Sequence, residues 1–531
     1  MSDTLVGARP LLRASLRQEA RSFAPWVVIV TVLSTSSVIL YPIVFPTLAE
    51  RERLAAALGA NPALGLIFGP ARDLSTVDGF NAWRSLALGG FLTALMAIFT
   101  VVKATRAQED SGQAELLASG VLGRPARLVV AVAMASVGSV AVGVTAATVT
   151  ILFGGDPGAS LLLAATFTVT GWMFAAVASV AAQIASEART ASTIAVGTLG
   201  VLFVVRGYLY SMQAPDWTVW LTPQGWMQET APASGNLWWP LLIGVVFAVA
   251  VLVVAFVLQA RRDFGQGAVA PRPGPARGTV RNPLTLALRL NKGPLITWTV
   301  AFALLGVVFG YFTTSVTGLV GDNPMVQGLL ASGASTPEAL VASFLVTILS
   351  LVGIIAAVGG VQTMLKVRAE ELDDRVEPVL AGSVRRQRFY GAHVIVALAG
   401  PAIGVMVAGA VVAAIAAAGD VGVSFGGALL QAVATVPATW TAIAVSVAVI
   451  GARPVVKLAS WFGVLASFAL TILGPTFGLD DWVLAISPFW HVPNVSAAAV
   501  DWSGLGWISL VTLGLLLVGT VGFRRRDLAV S

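Results

Sequence analysis

The sequence predicts an all-α polytopic membrane protein of about twelve transmembrane helices, built as two homologous six-span halves, each preceded by an amphipathic interfacial helix. Three observations carry that expectation. Hydrophobic residues fill 57% of the 531 positions and charged residues only 11%, too little charge to cover a soluble surface of this length. Apolar runs of about the 20 residues that cross a bilayer recur along the whole chain. The charged stretch Lys103–Arg127 also returns as Lys366–Arg388. A gapless shift of 262 positions lays Arg106 on Arg368, Glu109 on Glu371, Glu115 on Glu377 and Gly120 on Gly382.

Arg9, Arg13, Arg17 and Arg21 recur every four residues and so form one stripe of a helix, with Leu12, Leu16 and Phe23 on another side. Residues 9–23 therefore read as an interfacial helix, too charged for a signal peptide. Pro25 and Trp26 are expected to turn the chain into span 1 (26–46). A polar segment, 47–82, precedes span 2 (83–102) and the first charged loop. Spans 3 and 4 (128–153 and 160–185) are joined at Gly155-Asp156-Pro157, and Glu187 and Arg189 mark the turn into span 5 (191–211). Trp217, Trp220, Trp226 and Trp238 crowd 212–238, as at a membrane interface. Span 6 (239–259) ends in Arg261-Arg262-Asp263.

Residues 264–281 are rich in Gly, Pro and Arg and read as a cytoplasmic linker, so the halves are expected at 1–263 and 282–531. The second half repeats the plan. A surface helix, Asn282–Lys292, leads into span 7 (295–317), span 8 (339–365), the second charged loop, and spans 9–12 near 390–418, 425–450, 455–475 and 504–523. Asn61-Pro62 matches Asn323-Pro324, Asp216-Trp217 matches Asp481-Trp482, and Arg525-Arg526-Asp527 repeats the earlier ending. Of the 32 basic residues, 27 lie in segments this topology puts on one side. The positive-inside rule makes that side the cytoplasm, holding both termini and both charged loops. The net charge of +6 is then topological, not a footprint for nucleic acid.

Several chemistries are excluded. The chain has no cysteine and only two histidines, His393 and His491, so thiolate and histidine metal clusters are not expected. None of the four lysines stands in a P-loop. The acidic residues fall in loops or at span ends, which argues against the embedded carboxylate relay of a proton-coupled carrier. Asp216, Asp480 and Asp481 read as caps or anchors, so no catalytic residue or metal ligand is expected. Arg206, about 25 Å along span 5 from Arg189, is the ion-like exception; it reads as snorkelling to the outer interface or as lining a substrate exit. The repeated Glu109/Glu371 and Glu115/Glu377 favour recognition of a partner, with acids meeting basic residues at the rim of a groove and Leu116-Leu117 inserting into it.

On these residues the chain resembles an ATP-binding-cassette (ABC) exporter permease of the type V, ABCG-like architecture, in the duplicated twelve-span form of actinobacterial tetronasin and multidrug exporters. The features shared are the amphipathic N-terminal helix, the E-D-S-G-Q-A-E-L-L-A-S-G…R-P-A-R loop from Glu109 to Arg127, and the R-R-D ending of a half. The resemblance implies alternating access in the plasma membrane, exporting lipophilic, drug-like or antibiotic-like compounds. Two copies of a separate cytoplasmic ATPase, carrying ATP and Mg, would drive it, with no enzyme activity on this chain. They would press on coupling loops formed by Glu109, Gly112, Glu115, Leu116 and Leu117 in one half and Glu371, Asp374, Glu377 and Val379 in the other. The substrate path would run between spans 2 and 5, and 8 and 11, past candidates Phe91, Met96, Phe203, Arg206, Phe344 and Phe468. Asp374 in place of Gly112, and Pro378 in place of Leu116, imply a later or shorter second coupling helix that docks less tightly. Two other classes stay open: a secondary-active multidrug carrier, whose basic loop Gly120–Arg127 partly resembles, and a polytopic membrane enzyme acting on lipid.

Overall fold

The structure, a computed structural model, describes residues 6–59, 65, 67–118, 123, 125–211, 214–262, 267, 278, 280–320, 337–419, 421–473, 479–497 and 499–527. They fall into two compact units, Met1–Gly274 and Pro275–Ser531. Most of the 264–281 linker, both Asn-Pro pairs, Gly120 and Arg124 lie outside the described residues. Among those described, twelve helical segments are long and apolar enough to cross a membrane.

The first unit holds α1 (Ala8–Val44), α2 (Val77–Val102), α3 (Ala126–Leu152), α4 (Pro157–Ile184), α5 (Ala188–Ser211) and α6 (Pro240–Arg261). α4 is its centre, packed against α2, α3 and α6. Close approach there needs small residues: a Cβ added to Gly171 would lie 2.1 Å from the Ser139 hydroxyl oxygen. The second unit holds α7 (Pro283–Val320), α8 (Pro337–Leu372), α9 (Arg386–Ala418), α10 (Phe425–Ala452), α11 (Phe462–Phe468) and α12 (Ser503–Arg525). α11 is extended by 3₁₀ turns at Pro454–Trp461 and π turns at Ala469–Leu473, and α10 takes the central place.

Three expectations change. Pro25 does not separate an interfacial helix from span 1, because α1 runs through it unbroken. Buried Phe23 and Val30 on either side of the proline anchor the rod in one apolar cluster with Leu86, Met96 and Val142, so tertiary packing outweighs one missing N–H. The 37-residue α1, at 1.5 Å per residue, is roughly 55 Å long, well beyond the ~30 Å hydrocarbon layer. α7 likewise continues through Pro294. Second, α2 starts at Val77 instead of 83, capped by the Thr76 hydroxyl, which accepts from the Gly79 amide at 3.1 Å. Polar residues near its start are satisfied inside the bundle: Asn81, expected in the loop, donates to Ser34 at 3.3 Å, and Arg84 to Ser37 at 2.9 Å.

Third, the tryptophan-rich segment is not simply a surface belt. Trp217 is 64% exposed, but the chain then folds back inward as a short helix, Pro223–Gln228, with Pro223, Gln224, Gly225, Met227 and Gln228 buried. Thr222 caps it and Pro223 occupies the first helical turn, where a missing N–H costs nothing. Ser487-Pro488 opens the corresponding turn, Pro488–His491, in the second unit.

Candidate functional site

At the end of α2 the helix loosens into π turns, Lys103–Ala107, followed by one turn at Gln108–Asp110. This brings the Glu109 carboxylate under the bundle, where its side chain is 7% exposed. Arg106 donates to one oxygen at 2.8 Å, and Arg262, just past α6, to the other at 2.8 Å. Arg127, at the start of α3, lies 3.4 Å away. Arg106 is itself fully buried and also donates to the Ala182 carbonyl at the end of α4. The neighbouring Asp110 accepts from the Ala188 amide at 2.7 Å, capping α5. One short segment thus ties the ends of five helices.

The second unit builds the same joint. Glu371, on the last turn of α8, is 3% exposed. Arg368 donates to it at 2.9 Å and Arg526, past α12, at 2.8 Å. Arg526 also donates to the Gly451 carbonyl on α10 at 3.0 Å, while Arg386 on α9 donates to the Arg526 carbonyl at 2.8 Å. Glu109 and Glu371 are therefore spent inside the chain, which corrects the expectation that these two acids face a partner. Buried carboxylates at a helix end need cations nearby, and the R-R-D endings supply them. That both arms of the clasp recur, acid and arginine together, was the signal in the sequence.

Beyond each clasp a short helix projects. In the first unit it is Gln113–Ala118, with Glu115 and Leu116 exposed, Leu116 by 77%; the side chain of Leu117 lies outside the described residues. In the second it is Glu377–Leu380. There Glu377 is exposed while Val379 packs against the unit's own core. The second helix starts later and is shorter. The turn before it is nevertheless kept: Gly112 sits at φ +75° and Asp374, its counterpart, at φ +55°, aspartate being one of the few residues that tolerate this left-handed region.

The path candidates do not form one group. Phe91 and Phe203 meet edge-on at 5.0 Å, joining α2 to α5, and the Arg206 guanidinium lies over the Phe203 ring at 4.5 Å. Arg206 does not snorkel. It is 1% exposed and donates to Gln228 at 2.7 Å and to the Ile67 carbonyl at 2.6 Å, so it clamps the inward-folded segment to the chain before α2. Met96 faces away from α5, into the cluster with Phe23. Phe344 packs against the core of the second unit, and Phe468 is 42% exposed.

Among the described residues, twelve apolar helices, with the buried Arg106, Arg206 and Glu371 each held in a clasp or clamp, define a multi-pass membrane protein. The family model for the C-terminal domain of the multidrug efflux system permease Rv1217c matches residues 280–524. Over 528 residues, 98% of this chain and 95% of the relative, the sequence is 34% identical to the multidrug efflux system permease protein Rv1217c of Mycobacterium tuberculosis. The chain belongs to this family of multidrug efflux system permeases.

Proposed function

We propose that the chain is the membrane-spanning permease of an ATP-driven exporter that moves lipophilic compounds out of the cell. Two copies of a separate cytoplasmic ATPase, holding ATP and Mg, seat on the helices Gln113–Ala118 and Glu377–Leu380. The observation that carries this reading is mechanical: in each unit an exposed short helix is anchored, through a buried arginine–glutamate clasp, to the ends of several spans. A push on such a helix moves the ends together instead of bending one loop. Both loops and both termini are then cytoplasmic. Because the joint occurs twice in one chain, one copy serves two ATPases, and native mass measurement of the purified complex should give a 1:2 ratio; a 2:2 ratio would refute the self-sufficient unit. Orientation is tested by Ser111→Cys and Ser234→Cys, both at exposed positions. An impermeant thiol reagent on intact cells should label the second and spare the first; the reverse pattern would overturn the topology.

A further inference from the structure

The end of α1 that carries the arginine stripe and the end of α2 enclose a pocket of about 290 Å³, at the lower edge of the roughly 300–1,000 Å³ usual for small-molecule sites. Its floor is apolar, with Met96 and the rings of Trp26 and Phe99, whose centroids lie 6.3 Å apart. Its wall carries Gln18 and an ion pair, Lys103 Nζ to Glu19 Oε2 at 2.6 Å. The two partners are unequal: the Lys103 side chain is 64% exposed and that of Glu19 only 22%. The acid is held in the pocket, while the lysine reaches it from outside on a flexible stem. Arg13, Arg17 and Arg21 are exposed and do not line the pocket.

We propose that this pocket captures amphiphiles with a protonated amine on an aromatic or aliphatic body. The Lys103 ammonium marks where the ligand's ammonium sits. The ligand displaces it, Glu19 accepts the new charge-assisted hydrogen bond, and the faces of Trp26 and Phe99 hold both the cation and the apolar body. An anionic head is disfavoured, since among the described lining residues Lys103 is the sole cation and the Glu19 carboxylate lies against it. Met96, expected on the path between α2 and α5, instead belongs to this site. In the second unit Lys366 donates to the Leu290 carbonyl at 2.6 Å. The proposal deepens the permease reading and rests on it for its purpose, as a place where cargo is collected before transport.

The test is binding of monodansylcadaverine, a fluorescent primary amine, to the full chain in phosphatidylglycerol nanodiscs. No ATPase is present, so the outcome is separable from the coupling reading. The N-acetylated probe, identical except for charge, should bind at least tenfold more weakly. Glu19→Gln should weaken the amine about tenfold, Glu19→Asp should recover part of that, and Trp26→Leu should weaken it several-fold. Lys103→Met should leave affinity equal or raise it, because it removes the competitor for Glu19. Equal losses in Glu19→Gln and Lys103→Met would show a merely structural ion pair and overturn the proposal, as would equal binding of the acetylated probe. Adding phosphatidylethanolamine to the nanodiscs separates the two sources of this chemistry: competition identifies an ammonium-headed lipid as the resident ligand, and unchanged affinity identifies a free lipophilic amine.

Discussion

In the first unit Glu109 gathers three arginines, Arg106, Arg127 and Arg262, whereas in the second Glu371 gathers two, Arg368 and Arg526. The counterpart of Arg127 at the same 262-residue shift is Phe389, buried and stacked near Phe523 at 6.4 Å, and the Arg526 guanidinium lies 4.9 Å from that second ring. An aromatic stack has taken the place of a third cation. What both units share is the tie from the end of the second span to the end of the sixth; the number of charges around it differs. The inward-folded segments differ in the same way. Arg206 clamps one through Gln228, while the corresponding place in the other unit is held by a neutral contact, Thr471 to Ser487 at 2.7 Å. The two units share the geometry of these joints while the contacts that hold it differ.

The harshest way to break this comparison is to remove the acids. Glu109→Gln leaves three arginines around a neutral amide and should cost about 3–5 kcal/mol, the range for breaking a buried pair. Glu371→Gln should fall at the lower end of that range, because it leaves two arginines without the acid instead of three. Thermal unfolding in detergent measures both, and equal losses would mean that the third arginine contributes nothing.

Next in size is the clamp. Arg206→Met strands Gln228 and a backbone carbonyl, each polar group worth on the order of 1–3 kcal/mol, whereas Thr471→Val should cost about 1 kcal/mol or less. The same unfolding assay decides, and a larger loss from the threonine would reverse the ranking of the two segments.

The coupling helices come third. Glu115→Ala with Leu116→Ala removes exposed groups and should lower substrate-stimulated ATPase activity and efflux several-fold in a reconstituted complex with its ATPase. Glu377→Ala with Val379→Ala should uncouple less, since Val379 faces its own core; assembly is checked first. Equal uncoupling would remove any mechanical meaning from the shorter second helix. The turns come last, and the smallest single effect is expected at Asp374. Gly112→Ala places a Cβ in the left-handed region and should cost about 1–2 kcal/mol, with no steric contribution because the space is open. Asp374→Gly should change stability by only a few tenths of a kcal/mol, since aspartate already tolerates that conformation.

Class and span number were legible in the sequence, because a bilayer demands a continuous apolar run from each span and satisfies its backbone within it. Those are local requirements, and a linear reading finds them. The Asp-Trp repeat matched these segments between the halves but not their inward fold, since tryptophans look the same at an interface as beneath one. Glu109 and Glu371 are harder still. A carboxylate just past a span reads as solvated and available, yet here its partner stands 153 residues away in one unit and 155 in the other. Arg206 likewise meets a carbonyl 139 residues distant, and Pro25 sits inside a helix that continues through it. Only the tertiary structure decided these, because the cost of a buried charge or a missing hydrogen bond is set by what packs against it, and the packing partners are far along the chain.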